Sequence, residues 1–440
     1  MDVEAAYNKA LDYLYSFVDY SLKHASELAK ADFNLDRMRV LMAMLGNPQE
    51  AYPVIHVAGT KGKGSVCAMC ASALHSAGYR TGLYTSPHLQ DFCERIQAEG
   101  KTIPHGDLAA LVEEIKPHVA KMTFITTFEL ATALGFLYFA RRKADIAVIE
   151  VGLGGRLDAT NIITPLVSVI TSLSYDHTVV LGNTLAQIAG EKAGIIKDGK
   201  PVVSAPQKNE ALQVLESVAA ERHAPLALVG REVLYEMGEQ SLDGQALRVW
   251  TLNCPPLSLT IPLLGAHQVE NAVVAYAALK ASGVEISDEY IRQGFAEVRW
   301  LCRFEIVRRE PPVVLDSAHN TDSAEKLRQT LDEYFPGRPV ILIFGASEDK
   351  DVLGMFAAWK PRLACIIATR ADHPRALDPE QILGLAGQAG VPAEAVTPLE
   401  AALARALKLA EKESALVLSA GSMFVTAEVR TAWEKRNESE

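Results

Sequence analysis

Positive charge is the scarcer sign in this sequence: 43 Lys and Arg stand against 54 Asp and Glu, a formal net charge of −11. A broad nucleic-acid surface or a surface for anionic membranes needs a basic face, so neither partner is expected. A small basic pocket for a phosphorylated or carboxylated ligand stays open. Long apolar runs are missing too. No stretch approaches 18 uninterrupted apolar residues, so no membrane span is expected. The start, MDVEAAYNKALDYLYSF, is acidic and amphipathic and lacks a basic region followed by an apolar one. It does not read as a signal peptide. Cysteine is sparse, with six residues at 67, 70, 93, 254, 302 and 365. Cys67 and Cys70 form a CxxC, but no second CxxC or paired His completes a zinc or redox site. Both read as small residues inside a helix, and a reducing cytoplasm is the expected compartment. No internal repeat or low-complexity segment is evident.

What is present is an ordinary globular composition, 49% apolar and 22% charged, over 440 residues. That length predicts two or three domains. Residues 1 to about 50 read as helices with polar breaks. Then apolar β-rich runs alternate with helical ones. PVIHVAG (53–59), YRTGLYTSP (79–87), ADIAVIEVG (144–152), LVSVITSL (166–173) and KPVVSA (200–205) read as strands. SVCAMCASALHSAG (65–78), a segment near 106–120 and another at 127–143 read as helices. Continuous apolar strands separated by helices predict a doubly wound, mostly parallel α/β sheet. Residues 226–262 lack helical period and are expected to pack as strands on the edge of that domain; GAHQVENAVVAYAALKASG (265–283) returns to helix. A second alternation follows, with strands at 311–318, 338–346, 363–370 and 414–422. We therefore expect a domain over 1–297 and a smaller Rossmann-like α/β domain over 298–440. The cleft between two such domains is the expected active site.

In open parallel sheets ligands sit beyond the carboxyl ends of the strands. The first strand ends in Gly59-Thr60-Lys61-Gly62-Lys63-Gly64-Ser65, a misspelled phosphate loop. The usual pattern is Gly, four residues, then Gly-Lys-Ser/Thr. Here the leading Gly position holds Val57, and the hydroxyl of Ser65 comes one residue late. Glycines let backbone N–H groups wrap a phosphate, and the following helix N-terminus favours negative charge. Lys63 would reach the outer phosphates, and Ser65 would contact phosphate. The next strand ends bring Ser86 and His88, then Glu150, then Tyr175-Asp176-His177. A carboxylate at a strand end beside a phosphate loop is where a Mg²⁺ ligand belongs. Lys192 shows nothing by spacing beyond an exposed helix lysine. In the second half, Asp316-Ser317-Ala318-His319-Asn320 and Asp349-Lys350-Asp351 are the polar strand ends.

GTKGKGS, LYTSPHLQDFCERI, IEVGLGGRLDATN, SYDHTVVLGNTLAQIAGEKAGIIK, HQVENA, RWLCRFE, LDSAHN, SEDKD and AGSMFVTAEVR, in that order, resemble the folylpolyglutamate synthase/dihydrofolate synthase family, which belongs to the Mur-ligase-like ATP-dependent amide ligases. One of these motifs alone would be weak; the series is specific. The resemblance implies that ATP phosphorylates a substrate carboxylate, and that the amine of L-glutamate displaces phosphate from the acyl phosphate. It puts Lys63, Glu150, His177, Lys192 and Arg303 at the chemistry. Gly59, Thr60, Lys61, Gly62, Lys63, Gly64, Ser65, Asn271, Arg303, Asp316 and His319 fall on nucleotide contacts. Ser86 and Glu150 fall on ligands of one Mg²⁺ and His177 on a second, with Lys192 as a carbamylated lysine that supports a cation. A monovalent cation such as K⁺ is a further candidate. Thr126, Phe128, Asp158 and Ala159 fall on the pterin side, where an aromatic suits a flat ring. The loop 86–96 resembles a mobile lid.

Two departures stand out. Cys302 replaces a Gly usual before the Arg, and Ser317 replaces a Gly in the Asp-Gly-Ala-His-Asn pattern. The substrates implied are dihydropteroate or a reduced folate, L-glutamate and ATP; the LDATN spelling favours both glutamate additions. A monomer is expected. The competing readings are a Mur-type ligase acting on a UDP-muramyl cell-wall precursor, and a non-catalytic nucleotide-gated binding protein.

Overall fold

In the computed structural model, which describes residues 2–19, 33–252 and 254–439, each strand ladder follows from where apolar residues run unbroken. The first sheet joins β1 (Val54–Ala58), β2 (Thr81–Tyr84), β3 (Ile96–Ala98), β4 (Lys101–Thr102), β5 (Ile146–Glu150), β6 (Val167–Ile170), β7 (Val202–Ser204) and β8 (Leu226–Leu228). Their spatial order is β4-β3-β2-β5-β1-β6-β7-β8. β1, β2, β5, β6 and β7 are buried along their whole length. Such strands can lie only inside a sheet covered on both faces. β1 pairs parallel with β5 and β6, so Val57 lies beside Glu150 and Ala58 beside Ile170. Only the β2-β3 and β3-β4 pairs of this sheet are antiparallel. The chain leaves β1 for β2 on one side and leaves β6 for β7 on the other. The reversal beside β1 is a topological switch point, where open α/β sheets bind ligands.

The helix Lys63–Ser76 is buried almost throughout its first ten residues because they are small. Gly294 of the helix Asp288–Glu297 presses on it: a Cβ there would lie 2.3 Å from the Ala73 Cα. The expected N-terminal helices include Val3–Tyr15 and Leu35–Met44 among the described residues, capped by Asp2 and Asn34. Part of the segment 1–50 lies outside the described residues. The strands expected over 226–262 are present, most of the segment belonging to the first unit. Only β8 extends the large sheet; β9 (Val233–Ser241), β10 (Gly244–Thr251) and β11 (Leu257–Ile261) form a three-stranded sheet of their own. The alternating burial of β11 and the mostly exposed β9 mark a one-sided sheet.

The second sheet has six strands among the described residues, in order β12-β13-β17-β14-β15-β16. They are β12 (Glu305–Arg309), β13 (Pro312–Leu315), β14 (Val340–Phe344), β15 (Leu363–Ala368), β16 (Ala393–Ala395) and β17 (Leu416–Ala420). Its core gathers Phe344, Phe356 and Trp359, whose indole N–H donates to the Ala324 carbonyl at 2.9 Å. The edge strands β12 and β16 were not expected. EIVRR and AEA are too polar or too short to announce themselves, and β12 pairs antiparallel with β13 through an irregular register.

By internal contacts the chain divides into two units. The first is 1–239 with 246–262 and 268–298, and the second is 240–245, 263–267 and 299–440. No described helix is long and apolar enough to cross a membrane.

Candidate functional site

The phosphate loop of the first unit is built by close approach. Gly59 follows β1, and a Cβ on it would fall 1.8 Å from the Thr171 Oγ1. Gly62 is the N-cap of the helix Lys63–Ser76 at φ 88°, and a Cβ on it would meet the Asn271 Oδ1 at 2.2 Å. The Thr60 and Lys61 amides donate to the Ser172 carbonyl at 3.0 and 3.1 Å. The first intrahelical bond comes from Val66 to Gly62. The amides of the first turn thus precede any helical acceptor, the arrangement that receives anions. No side chain caps this helix. Asn271, in the helix Ala266–Ala281, is buried against the loop, and its amide donates to the Gln268 Oε1 at 3.0 Å.

The lysines divide the work. Lys63 Nζ donates to the Gly59 carbonyl at 3.3 Å and lies 3.9 Å from the Glu150 Oε1. Lys192 Nζ donates to the same carbonyl at 2.8 Å. Lys192 is 4% exposed, so the reading of it as an exposed helix lysine is wrong. Burial, and next the neighbouring Lys63 charge, push its ammonium down to about 7. The glycine-rich turn after β5 explains this burial: a Cβ on Gly155 would lie 3.0 Å from the Lys192 Cα. The Arg156 amide also bonds the Glu191 carbonyl at 2.7 Å. Lys61 pairs with Asp176 at 3.0 Å, a partner that spacing did not offer.

Glu150 closes β5 and is buried, and its Oε2 accepts the Ser86 amide at 3.1 Å. Ser86, Glu150, Lys63 and Lys192 are therefore linked through short contacts around the Gly59 carbonyl. His177 follows Asp176, the partner of Lys61. It holds φ 49° at the start of the turn Thr178–Leu181, with its Nε2 3.9 Å from the Asp176 Oδ1. Ser65 is buried in the first helical turn. Cys67 and Cys70 lie buried in the same helix, and burial raises both thiols.

The expected pterin-side residues are mostly committed to structure. Thr126 caps the helix Thr127–Arg141 in a reciprocal box with Glu129, which also pairs with Arg37 at 2.9 Å. Asp158 accepts from the Leu153 amide at 2.9 Å and from the Thr160 amide at 3.0 Å, tying down the turn after Glu150. Behind it, Thr160 lies 2.9 Å from the Nε2 of His56 on β1. Burial pushes the His56 imidazole down to about 3. Ala159 is buried. The Phe128 ring faces Gly152, where a Cβ would meet its Cζ at 2.4 Å. The proposed lid contains a short 3₁₀ turn, Phe92–Arg95, and ends in β3.

In the second unit, Arg303 sits between two residues in the left-handed region, Cys302 at φ 55° and Phe304 at φ 49°. Asp316 holds that turn: its Oδ2 accepts the Phe304 amide and its Oδ1 the Ala318 amide, both at 2.8 Å. Burial raises the Asp316 carboxyl, against the lowering charge of Arg303. His319 Nδ1 is 2.8 Å from the Ser317 carbonyl. Ser317 keeps an ordinary backbone, so replacing a Gly there costs no left-handed strain.

Comparison with known proteins adds the following. Residues 57–279 match the Mur ligase middle domain and residues 302–423 the Mur ligase glutamate ligase domain. A Bacillus subtilis dihydrofolate synthase/folylpolyglutamate synthase is 40% identical over 78% of this chain and 82% of its own. The solved Mycobacterium tuberculosis folylpolyglutamate synthase complexed with ADP superposes with a TM-score of 0.89 at 34% identity, covering 98% of each chain. E. coli FolC in complex with DHPP and ADP gives 0.86 at 31% identity, again over 98% of each.

Proposed function

Since the chain belongs to the folylpolyglutamate synthase/dihydrofolate synthase family and is an ATP-dependent ligase that joins L-glutamate to folates, we propose that it carries both additions. It would add the first glutamate to dihydropteroate and extend the tail of reduced folates. The observation that carries the mechanism is the convergence of Lys63 and Lys192 on the Gly59 carbonyl, with Glu150 and Ser86 alongside.

A carboxylate is a poor acyl donor because hydroxide leaves badly. In the proposed reaction a carboxylate oxygen of the folate attacks the γ-phosphorus of ATP, and ADP leaves. The resulting acyl phosphate is attacked by the free amine of L-glutamate. Inorganic phosphate departs with the C–O electron pair, and the amine gives up a proton. The first-turn amides of Gly62 to Ser65 hold the phosphates, and Lys63 balances the charge gathered on the transferred group. Arg303, Asp316, His319 and Asn271 keep the nucleotide roles that the family likeness implies. Phe128 offers its ring to the flat substrate.

The donors suit Mg²⁺: the Glu150 carboxylate and Ser86 supply oxygen beside a phosphate loop, and His177 would serve a second ion. When bound, the ion shields the phosphate oxygens during transfer. Lys192 would join these ligands only as a carbamate. Its depressed ammonium leaves the amine free above about pH 7, the form that adds CO₂. Activity is therefore expected to fall as pH drops below 7, and added bicarbonate to restore part of it near that pH. A pH–rate profile with and without bicarbonate checks this. We also infer work in the cytoplasm as a monomer, in keeping with six free thiols.

The deciding assay is ATP turnover with dihydropteroate or tetrahydrofolate, with and without L-glutamate. Glutamate-dependent ADP release with both acceptors is expected. Release with tetrahydrofolate alone would reduce the proposal to tail extension. Stimulation only by a UDP-muramyl substrate, or hydrolysis indifferent to every acceptor, would overturn it.

A further inference from the structure

The segment after Ser86 carries a second group of reactive side chains that the ligase reaction does not use. Asp91 caps the turn Phe92–Arg95, its Oδ1 accepting the Cys93 amide at 2.7 Å and the Tyr7 hydroxyl at 2.9 Å. His105 opens the helix His105–Val119 and sets its Nε2 2.9 Å from the Asp91 Oδ2. Its Nδ1 lies 2.9 Å from the Glu4 Oε1, and its ring stacks on Tyr7 with centroids 3.8 Å apart. The Cys93 thiol is buried, 2% exposed. One ligand atom each from Asp91, Cys93 and His105 lies within 4.8 Å of the other two, and no other trio of acidic, His or Cys donors does so among the described residues.

We propose that Asp91, Cys93 and His105 form a binding site for a thiophilic divalent cation of the zinc type. The donor set decides the class of metal. One carboxylate oxygen, one thiolate sulfur and one imidazole nitrogen suit tetrahedral Zn²⁺ with water in the fourth position, and a thiolate disfavours Mg²⁺ and Ca²⁺. The surroundings supply what such sites need beyond their ligands. Glu4 accepts the Nδ1–H, which leaves the Nε2 lone pair for the cation, and the Tyr7 ring fixes the imidazole plane. The site is open to solvent, with the His105 and Asp91 side chains 30% and 38% exposed. Without a cation, burial holds the Cys93 thiol up at about 12; burial lowers the His105 imidazole, but the Glu4 and Asp91 carboxylates facing its two nitrogens outweigh this and raise it. A cation reverses both preferences. On binding, the hydrated cation loses all but one of its waters to solvent, the thiol and the Nε2–H each release one proton, and the bonds formed are metal–sulfur, metal–nitrogen and metal–oxygen. The bound ion would fasten the turn after Ser86 to the helix Val3–Tyr15 through Glu4 and Tyr7.

The test titrates chelator-treated full-length protein with Co²⁺ in excess Mg²⁺, which keeps the oxygen-rich sites filled. A thiolate-to-cobalt charge-transfer band with tetrahedral d–d bands, saturating at one equivalent, is expected. Cys93→Ser should abolish the charge-transfer band and Cys70→Ser should keep it. Glu4→Gln should retain the band while weakening Co²⁺ binding about 10–100-fold. Zn²⁺ should raise the melting temperature of the parent protein and not that of His105→Gln. Absence of the band in the parent protein at saturating Co²⁺ would overturn the proposal, and so would an undiminished band in Cys93→Ser. None of these readouts depends on ligase activity.

Discussion

The turns Gly59–Gly62 and Cys302–Phe304 both demand a left-handed backbone, and they meet the demand in opposite ways. At Gly59–Gly62 there is no room for a side chain, because Thr171 and Asn271 already occupy the space. At Cys302–Phe304 two full side chains adopt positive φ, and both are buried. The second turn is held by its own partners: Glu305 accepts the Cys302 amide, and Asp316 accepts the Phe304 amide. The first turn leaves its leading helical amides without side-chain caps. A turn whose left-handed residues each give their amide to a carboxylate can carry strain. A turn whose donors are kept for a ligand needs glycine, both for conformation and for close approach.

This contrast can be broken in four ways. The largest effect is expected from Lys63→Ala, which removes a preorganised charge beside the phosphate loop. kcat/KM should fall ~10²–10³-fold with little change in stability. Near-normal turnover would end the assignment of the loop to phosphate. Gly62→Ala is expected to cost about 2–3 kcal/mol in denaturant unfolding, combining the left-handed penalty with overpacking against Asn271. A neutral outcome would mean the loop can shift and that its glycine is not required.

The strands that carry these turns' partners also differ: β1, leading into Gly59, buries His56, whereas β13 (PVVL), leading to Asp316, has no titratable side chain. The folded imidazole titrates near 3, below its ordinary 6.5. Above pH 6.5 both folded and unfolded forms are neutral. As pH falls, the unfolded chain gains the proton first, so stability is lost between 6.5 and about 3. At pH 5 the loss should be about 2 kcal/mol, and His56→Gln should abolish that part of the slope in chemical denaturation. The smallest effect is expected at the second turn. Cys302→Gly trades relief of left-handed strain against chain entropy and lost packing, and should change stability by no more than about 1 kcal/mol. A loss several times larger, by thermal or chemical melting, would show that the thiol itself holds the turn.

Much of this was legible in one dimension. Largely apolar runs announced β1, β5 and β6, two of them closed by glycine, since only a strand covered on both faces tolerates such a run. Gly59–Ser65 read as a glycine-rich loop before a helix from local backbone requirements, and the serial motifs announced the family. By spacing alone Lys192 read as an exposed helix lysine, because its surroundings come from far along the chain. The Gly59 carbonyl and the Gly155 turn enclose it, and neither can be inferred from helix spacing. Asp176 as the partner of Lys61, His56 behind Thr160, and the edge strands β12 and β16 were hidden for the same reason. The Asp91, Cys93 and His105 group is the extreme case, since Glu4 and Tyr7 reach it from a helix more than eighty residues away. Periodicity and glycine placement are properties of neighbours in sequence, and the sequence alone determined what depends on them. Burial, shared acceptors and perturbed titration depend on which distant segments pack together, and only the tertiary structure decided those.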